Sequence, residues 1–212
     1  QRQMCIRDRI RGLTVFLVDF DTKGISIGKE EDKMGIRASA TAEIIFEDCF
    51  VPDSARVGKE GRGFMIAMQT LQMSRPVVAA ISVGIAQAAI EAAVAYSHHR
   101  KQFGVKIATF EMVQQMIADM VMKTEAARIL TYKACVAQMN KDKKAGLYSA
   151  MSKCFASDTA MEVTTTAVQV MGGNGYSREN PVEKYMRDAK IMQIYEGTNQ
   201  VQRLVIANEA TF

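Results

Sequence analysis

Cysteine is scarce in this 212-residue chain and widely scattered: Cys5, Cys49, Cys135 and Cys154 form no CxxC pair. Neither a zinc site nor a disulfide framework is supported, and a reducing compartment is the expectation. Charge of one sign is equally thin. Lys and Arg number 27 against 23 Asp and Glu, a net +4, and no stretch concentrates the surplus. That argues against nucleic acid as a partner. The longest apolar stretch, residues 76–96, is interrupted by Gln87 and Glu91 and is rich in Ala and Gly, so no membrane span is expected. No secretory signal is visible either, since Arg2, Arg7, Asp8 and Arg9 stand where its apolar core would begin. No GxSxG marks a nucleophile. His98 and His99 are adjacent, which points them to different sides of a helix and makes no metal pair. Disorder is excluded by 48% hydrophobic and 24% charged residues, and the length suffices for one or two domains with a real core.

What is present changes character near residue 60. Before it, β-formers and turn residues dominate. Residues 13–19 (LTVFLVD) read as a strand. Residues 40–46 alternate, with Ala40, Ala42, Ile44 and Phe46 on one side and Thr41, Glu43 and Ile45 on the other. After Gly61-Arg62-Gly63 the period becomes helical. A long helix is expected over 64–102, kinked or broken at Pro76. A second covers about 110–140, with a stripe of Phe110, Val113, Ile117, Met120, Val121 and Thr124. A third covers about 147–171, with Leu147, Met151, Phe155, Val163, Ala167 and Val170 inside, and the glycines at 172–175 stop it. Pro181 opens a fourth helix reaching about 193. Thr198 is an N-cap for the last, to about 208. The fold class is therefore mainly α: a C-terminal four-helix-type up-and-down bundle preceded by a partial antiparallel β domain. The domain division places the end of the β domain at 10–58 and the bundle at 59–212. Residues 1–9 fit neither pattern and stay unassigned, a break that suggests a sequencing or assembly artefact at the start of a truncated chain.

Three segments could carry chemistry. In Tyr195-Glu196-Gly197-Thr198-Asn199-Gln200 a carboxylate sits on a tight turn just before a helix. A solvated glutamate on a linking turn is the ordinary reading; the sharper one is a general base held at a rigid joint. In Gln169-Val170-Met171-Gly172-Gly173-Asn174-Gly175-Tyr176 three glycines in four residues let a backbone approach a ligand closely, or simply cap a helix. In Tyr96-Ser97-His98-His99-Arg100-Lys101-Gln102-Phe103-Gly104 four potentially cationic residues suit a helix C-terminus, and Arg100 with Phe103 would also suit a pyrophosphate and an aromatic face.

In order and combination these segments are specific. Together with Lys33-Met34-Gly35-Ile36-Arg37-Ala38-Ser39, Ile45-Phe46-Glu47-Asp48-Cys49-Phe50-Val51-Pro52, Gly61-Arg62-Gly63-Phe64, Arg187-Asp188-Ala189-Lys190 and Ile194-Tyr195-Glu196-Gly197-Thr198, the chain resembles the acyl-CoA dehydrogenases from about residue 11 to about 208. The resemblance implies FAD as cofactor and oxidation of an acyl-CoA thioester to the trans-2-enoyl-CoA. Glu196 falls on the family's catalytic base, which takes the α proton while the β hydrogen leaves as hydride to the flavin. Arg100, Gln102 and Phe103 match the segment that reaches the FAD of a neighbouring subunit. Gln169, Gly172 and Gly173 match another FAD-contacting stretch, and Thr198 and Gln200 match flavin contacts after the base. Arg75 matches an arginine near the acyl-CoA site, and Tyr195 and Gly197 flank the thioester. No metal is implied. The resemblance further implies a homo-oligomer, dimer or tetramer, electron-transferring flavoprotein as electron acceptor, and a bacterial cytoplasm (preferred) or mitochondrial matrix as location.

The chain departs from the family pattern at Gln72, where Asp is frequent, and at Glu111, where Gln is frequent. Members that carry the base on the long helix have it where Ser74 stands, which favours Glu196 here. The upstream β-domain motifs that hold the flavin ring are missing, so this stretch alone is expected to bind FAD poorly. Two other readings stand beside the dehydrogenase: a flavin oxidase or monooxygenase relative of the same fold, and a non-catalytic helical assembly module.

Overall fold

The computed structural model of the chain describes residues 12–211; the unassigned stretch 1–9, with Cys5, lies outside the described residues. Two compact units emerge. One holds the described residues up to Lys33 together with Arg37–Leu71; the other holds Met34–Ile36 and the chain from Gln72 onward.

The first unit contains four strands, β1 (Val15–Phe16), β2 (Ile25–Glu30), β3 (Ala42–Phe46) and β4 (Arg56–Val57). They form two antiparallel pairs, β1 with β4 and β2 with β3. The strand expected over 13–19 is shorter than its apolar run: after Phe16 one more bond follows, Leu17 N–H to Ala55 O at 2.9 Å, and the chain then turns at Asp19–Thr22. The expected two-sided alternation of 40–46 is also blurred. Ile27 pairs with Ile44, but the register shifts before Glu30 meets Ala42, and Ile44 and Phe46 stay 49% and 60% exposed. An irregular ladder breaks the period of two, and a two-stranded ribbon covers neither face.

The second unit is a helix bundle. Its elements are α1 (Gly63–His99, from Gln72 on), the hairpin β5 (Lys101–Gln102) and β6 (Val105–Lys106), α2 (Glu111–Met139), α3 (Ala145–Met171), the single turn α4 (Gly173–Tyr176), α5 (Pro181–Met192) and α6 (Asn199–Thr211). One core brings together Ala86, Ala89, Ile90 and Ala93 of α1, Met120 of α2, Ala160, Val163, Ala167 and Val170 of α3, and Val182 and Ala189 of α5. Small residues at the contacts let the helix backbones approach closely, so the core is built on Ala as much as on large aliphatics. By length and composition α1 is the one helix among the described residues that could cross a membrane, with a mean hydropathy of 1.9 in its most apolar window. Here its alanine face is core.

Pro76 neither ends nor divides α1, so of the kink or break that the sequence suggested the break does not occur. Proline removes the N–H that would bond the carbonyl four residues back. That carbonyl belongs to Gln72, and Gln138 Nε2 of α2 donates to it at 3.1 Å. The orphaned acceptor is satisfied from a neighbouring helix, so the helix continues. On α3, Val163, Ala167 and Val170 are buried as expected, but Leu147 and Met151 are half-buried and Phe155 is exposed. The inward face instead carries Ser149, Ser152, Lys153, Ser157 and Thr164. The hydroxyls are accommodated because they donate back along the helix, Ser157 to Lys153 O at 2.7 Å and Thr164 to Ala160 O at 2.7 Å.

Two sequence motifs far apart in the chain meet in this unit. Ile36 N–H donates to Asp188 Oδ1 at 2.6 Å, and Arg187 donates to Met34 O at 2.7 Å. Between them a Cβ on Gly35 would stand 2.4 Å from Arg187 O, so only glycine fits. Arg187 is steadied by a two-pronged ion pair to Glu183, one turn earlier.

Candidate active site

The turn between α5 and α6 is held by contacts on every residue from 195 to 199. Tyr195 N–H still reaches Ile191 O at 3.1 Å, completing the end of α5. Then Glu196 at φ 58° and Gly197 at φ 90° reverse the chain. A left-handed non-glycine costs about 1–3 kcal/mol and persists only where its surroundings over-determine it. Thr198 opens α6, its Oγ1 accepting from Val201 N–H at 3.3 Å, the cap the sequence suggested. Between these anchors the backbone N–H groups of Glu196, Gly197 and Thr198 donate to no group among the described residues. Three consecutive unpaired amides on one turn make a concavity suited to an oxygen with negative charge.

The Glu196 carboxylate is half-buried, and Ser74 of α1 donates to its Oε2 at 2.5 Å. The next residue, Arg75, is buried, and its Nε has no hydrogen-bond partner among the described residues, an unusual state for a guanidinium. Burial pushes the Arg75 guanidinium down from its ordinary value, against the pull of Glu196 and Glu209. The Tyr195 hydroxyl, donating to Met192 Sδ at 2.8 Å, is pushed up by burial and by the Glu196 charge.

Under the turn lies a polar network that short-range sequence patterns do not reveal. Lys153 of α3 is fully buried, and its Nζ donates to Gly197 O and to Asn199 Oδ1, both at 2.9 Å. Burial lowers its pKa to about 8. Asn199 Nδ2 donates in turn to Ser157 Oγ at 2.9 Å and Asp158 Oδ1 at 2.7 Å. Asp158 also receives Gln193 at 2.6 Å and Arg203 at 2.6 Å. Burial alone would push the Asp158 carboxyl up, but the bonds from Arg203, Gln193 and Asn199 together hold it below the usual carboxylate range. Gln202, also fully buried, donates to the carbonyls of Glu196 at 3.2 Å and Gly197 at 3.0 Å. A Cβ on Gly197 would lie 2.6 Å from Gln202 Nε2. Lys153 escapes a reading by local pattern because its partners are 44 and 46 residues away; its only signal is a lysine on the inward face of an otherwise apolar and hydroxyl helix.

A second group of the expected residues gathers elsewhere in the bundle. Arg100, Gln102, Gly172 and Gly173 line an open pocket of about 440 Å³, with Tyr96 and Asn174 at its wall. Asn174 Nδ2 donates to Tyr96 Oη at 2.7 Å. Gly172, at φ 59° and ψ −136°, ends α3, and a Cβ at 172 or 173 would meet nothing within 4 Å. The bare backbone therefore faces open space, with the Arg100 cation in the same lining: a combination that fits a pyrophosphate group. Phe103 sits at the hairpin tip, 92% exposed and at φ 52°, beside Gly104 at φ 83°. Positive φ at both turn residues is the two-residue hairpin geometry, and an aromatic side chain held there projects outward. Gln169, near the end of α3, is exposed and accepts the Gly172 N–H through its carbonyl; Gln200 is exposed on the first turn of α6. The structure thus brings Arg75, Tyr195, Glu196, Gly197 and Thr198 together at one place, and Arg100, Gln102, Gly172 and Gly173 at another.

The site thus sits on a helical bundle with a glutamate turn before its last helix, and sequence comparison identifies the family. Residues 61–211 match the model of the acyl-CoA dehydrogenase C-terminal domain. A probable acyl-CoA dehydrogenase, FadE25 of Mycobacterium tuberculosis, is 52% identical over 196 residues, covering 92% of this chain and 50% of that protein. The mitochondrial short-chain specific acyl-CoA dehydrogenase of Mus musculus is 47% identical over 197 residues, 93% of this chain and 48% of the relative. Among solved structures, butyryl-CoA dehydrogenase from Megasphaera elsdenii superposes with a TM-score of 0.93 at 48% identity, covering 96% of this chain and 53% of that one. The chain belongs to the acyl-CoA dehydrogenase family. It spans about half the length of the curated relatives it matches.

Proposed function

We propose that this chain supplies the catalytic base and part of the cofactor site of an FAD-dependent acyl-CoA dehydrogenase, converting an acyl-CoA thioester to its trans-2-enoyl-CoA. The observation that carries this reading is the Glu196 turn: a carboxylate held on a strained joint, tied to Ser74, beside a buried Arg75 and three unpaired backbone amides. Glu196 takes the substrate's α proton, for which a half-buried carboxylate on a rigid turn is suited by position. The Glu196 backbone N–H polarises the thioester carbonyl and stabilises the enolate-like charge that develops as the proton leaves. Tyr195 and Gly197 flank the thioester, and Arg75 stands at the acyl-CoA side. FAD, when bound, accepts the β hydrogen as hydride.

Arg100, Gln102, Gly172 and Gly173 hold the pyrophosphate region of FAD, with Phe103 offering an aromatic face and Gln169 a further contact. Thr198 and Gln200 contact the flavin beside the base. In this reading the pocket lined by Arg100 serves the cofactor of a neighbouring copy, which makes the active protein a homo-oligomer, and electron-transferring flavoprotein takes the electrons onward. Residues 59–212 act as the helical domain and 10–58 as the end of the β domain of a longer cytoplasmic enzyme.

The test is a visible absorption spectrum of the flavin-loaded protein before and after anaerobic addition of a mid-length acyl-CoA. Flavin bands that bleach on addition are expected, and bands that persist would overturn the reading. Glu196→Gln is expected to lower turnover by about 10²–10⁴-fold, the usual worth of a positioned general base, with flavin absorbance retained. A variant that keeps wild-type turnover would move the base elsewhere.

A further inference from the structure

Lys153 is a buried cation for which the proposed reaction has no use. Its ammonium faces two neutral oxygens, Gly197 O and Asn199 Oδ1, each at 2.9 Å. No salt bridge to it is present among the described residues. Burying a charge with neutral partners alone is costly compared with an apolar side chain of the same size. The carbonyls it organises are those of the turn. Gly197 O receives both Lys153 Nζ and Gln202 Nε2, and Glu196 O receives Gln202 Nε2. Both carbonyls are therefore drawn into the bundle. No cis peptide bond occurs among the described residues, and in a trans peptide the N–H points opposite to the C=O. The amides of Gly197 and Thr198 accordingly face away from Lys153 and Gln202, and they are two of the three that donate to no group among the described residues.

We propose that Lys153 is a positioning residue for the Glu196 turn: by holding the Gly197 carbonyl inward it keeps Glu196 in its left-handed conformation and turns the Gly197 and Thr198 amides outward, toward an oxygen of a bound ligand. Its kinetic consequence rests on the reading of Glu196 as the base; its structural consequence does not. The ammonium also polarises the peptide whose carbonyl it grips, which makes the Thr198 N–H a stronger donor. Asn199 extends the device: its side chain accepts from Lys153 and donates to Asp158, so the cation communicates with a carboxylate through a neutral amide. The charged and titratable groups acting on Lys153 are Cys154 and Asp158 on its own helix, Arg75 on α1 and Glu196 on the turn.

Two measurements test this, one of which does not need turnover. In the isotope-labelled chain, the Gly197 carbonyl and Thr198 amide chemical shifts are followed through the lysine's titration near pH 8. Both are expected to move together in the wild type and to lose that step in Lys153→Met. Shifts that titrate identically in the two proteins would overturn the proposal, and Lys153→Gln, which keeps a donor, carries the comparison if the Met variant does not fold. In the flavin-loaded protein, Lys153→Met is expected to lower kcat by about 10–100-fold, the effect of a catalytic group displaced by about 1 Å, with KM and flavin content little changed and part of kcat recovered in Lys153→Gln. A merely structural lysine would change thermal stability and leave the kcat of the folded protein unaltered, which would also overturn it. If the wild type itself fails to bleach with acyl-CoA, the proposed reaction falls while the chemical-shift comparison still decides the role of Lys153.

Discussion

Glu196 draws its value from a conformation that a side chain rarely adopts. Its φ of 58° is followed by 90° at Gly197, and each residue of the turn is pinned by something different: Ser74 on the carboxylate, Gln202 and Lys153 on the carbonyls, Thr198 on the following helix. Gly197 is the position where substitution should be least tolerated. A Cβ there meets Gln202 Nε2 at 2.6 Å and also forces a left-handed conformation on an L side chain. Gly197→Ala is expected to destabilise the fold by about 1–3 kcal/mol, the usual cost of such strain, read as a lower midpoint in denaturant unfolding with an unchanged slope. Glu196, Gly197 and Thr198 were legible from six consecutive letters, because a turn and its cap are short-range matters. Lys153 was not, because its role comes from partners more than forty residues away.

The helices show how far local signals reach. Thr198 reads as an N-cap from its neighbours and behaves as one. Thr198→Ala is expected to cost about 1 kcal/mol, measured by thermal unfolding, with loss of protection from hydrogen exchange concentrated in the first turn of α6. Pro76 teaches the opposite. Proline inside a helical run predicts a break because it leaves a carbonyl unpaired, yet Gln138 from α2 takes that carbonyl. Only the approach of a second helix could supply it. The α3 face is a further case. Period alone placed Leu147, Met151 and Phe155 in the core, while the real inward face carries serines, two threonines and a lysine. Hydroxyls that bond back along their own helix are as compatible with burial as small apolar groups, and hydropathy does not distinguish them. The Arg187 and Asp188 motif, quoted above only for its family resemblance, holds the loop at Met34 and Ile36.

Across the whole protein the clearest physical signature is the pH dependence that the buried lysine imposes. Its folded pKa, about 8, lies below the ordinary 10.5. Between those values the unfolded chain holds a proton that the folded chain has released, so stability rises with pH through this window by way of this group. Below about 8 both states are charged and the full cost of burial is present. The stability gained by raising pH across the window should therefore be larger in the wild type than in Lys153→Met, measured by denaturant unfolding at successive pH values. The order of the long helices, the Thr198 cap and the family itself were determined by sequence, because periodicity, turn chemistry and motif order are written along the chain; the strands β2, β4, β5 and β6 were not foreseen. The tertiary structure decided which of the expected residues lie together: it gathered Arg75 with Glu196, and Arg100 with Gly172, and seated Lys153 under the Glu196 turn. Those are long-range choices, made when helices pack and each buried polar atom finds its partner, and no local pattern contains them.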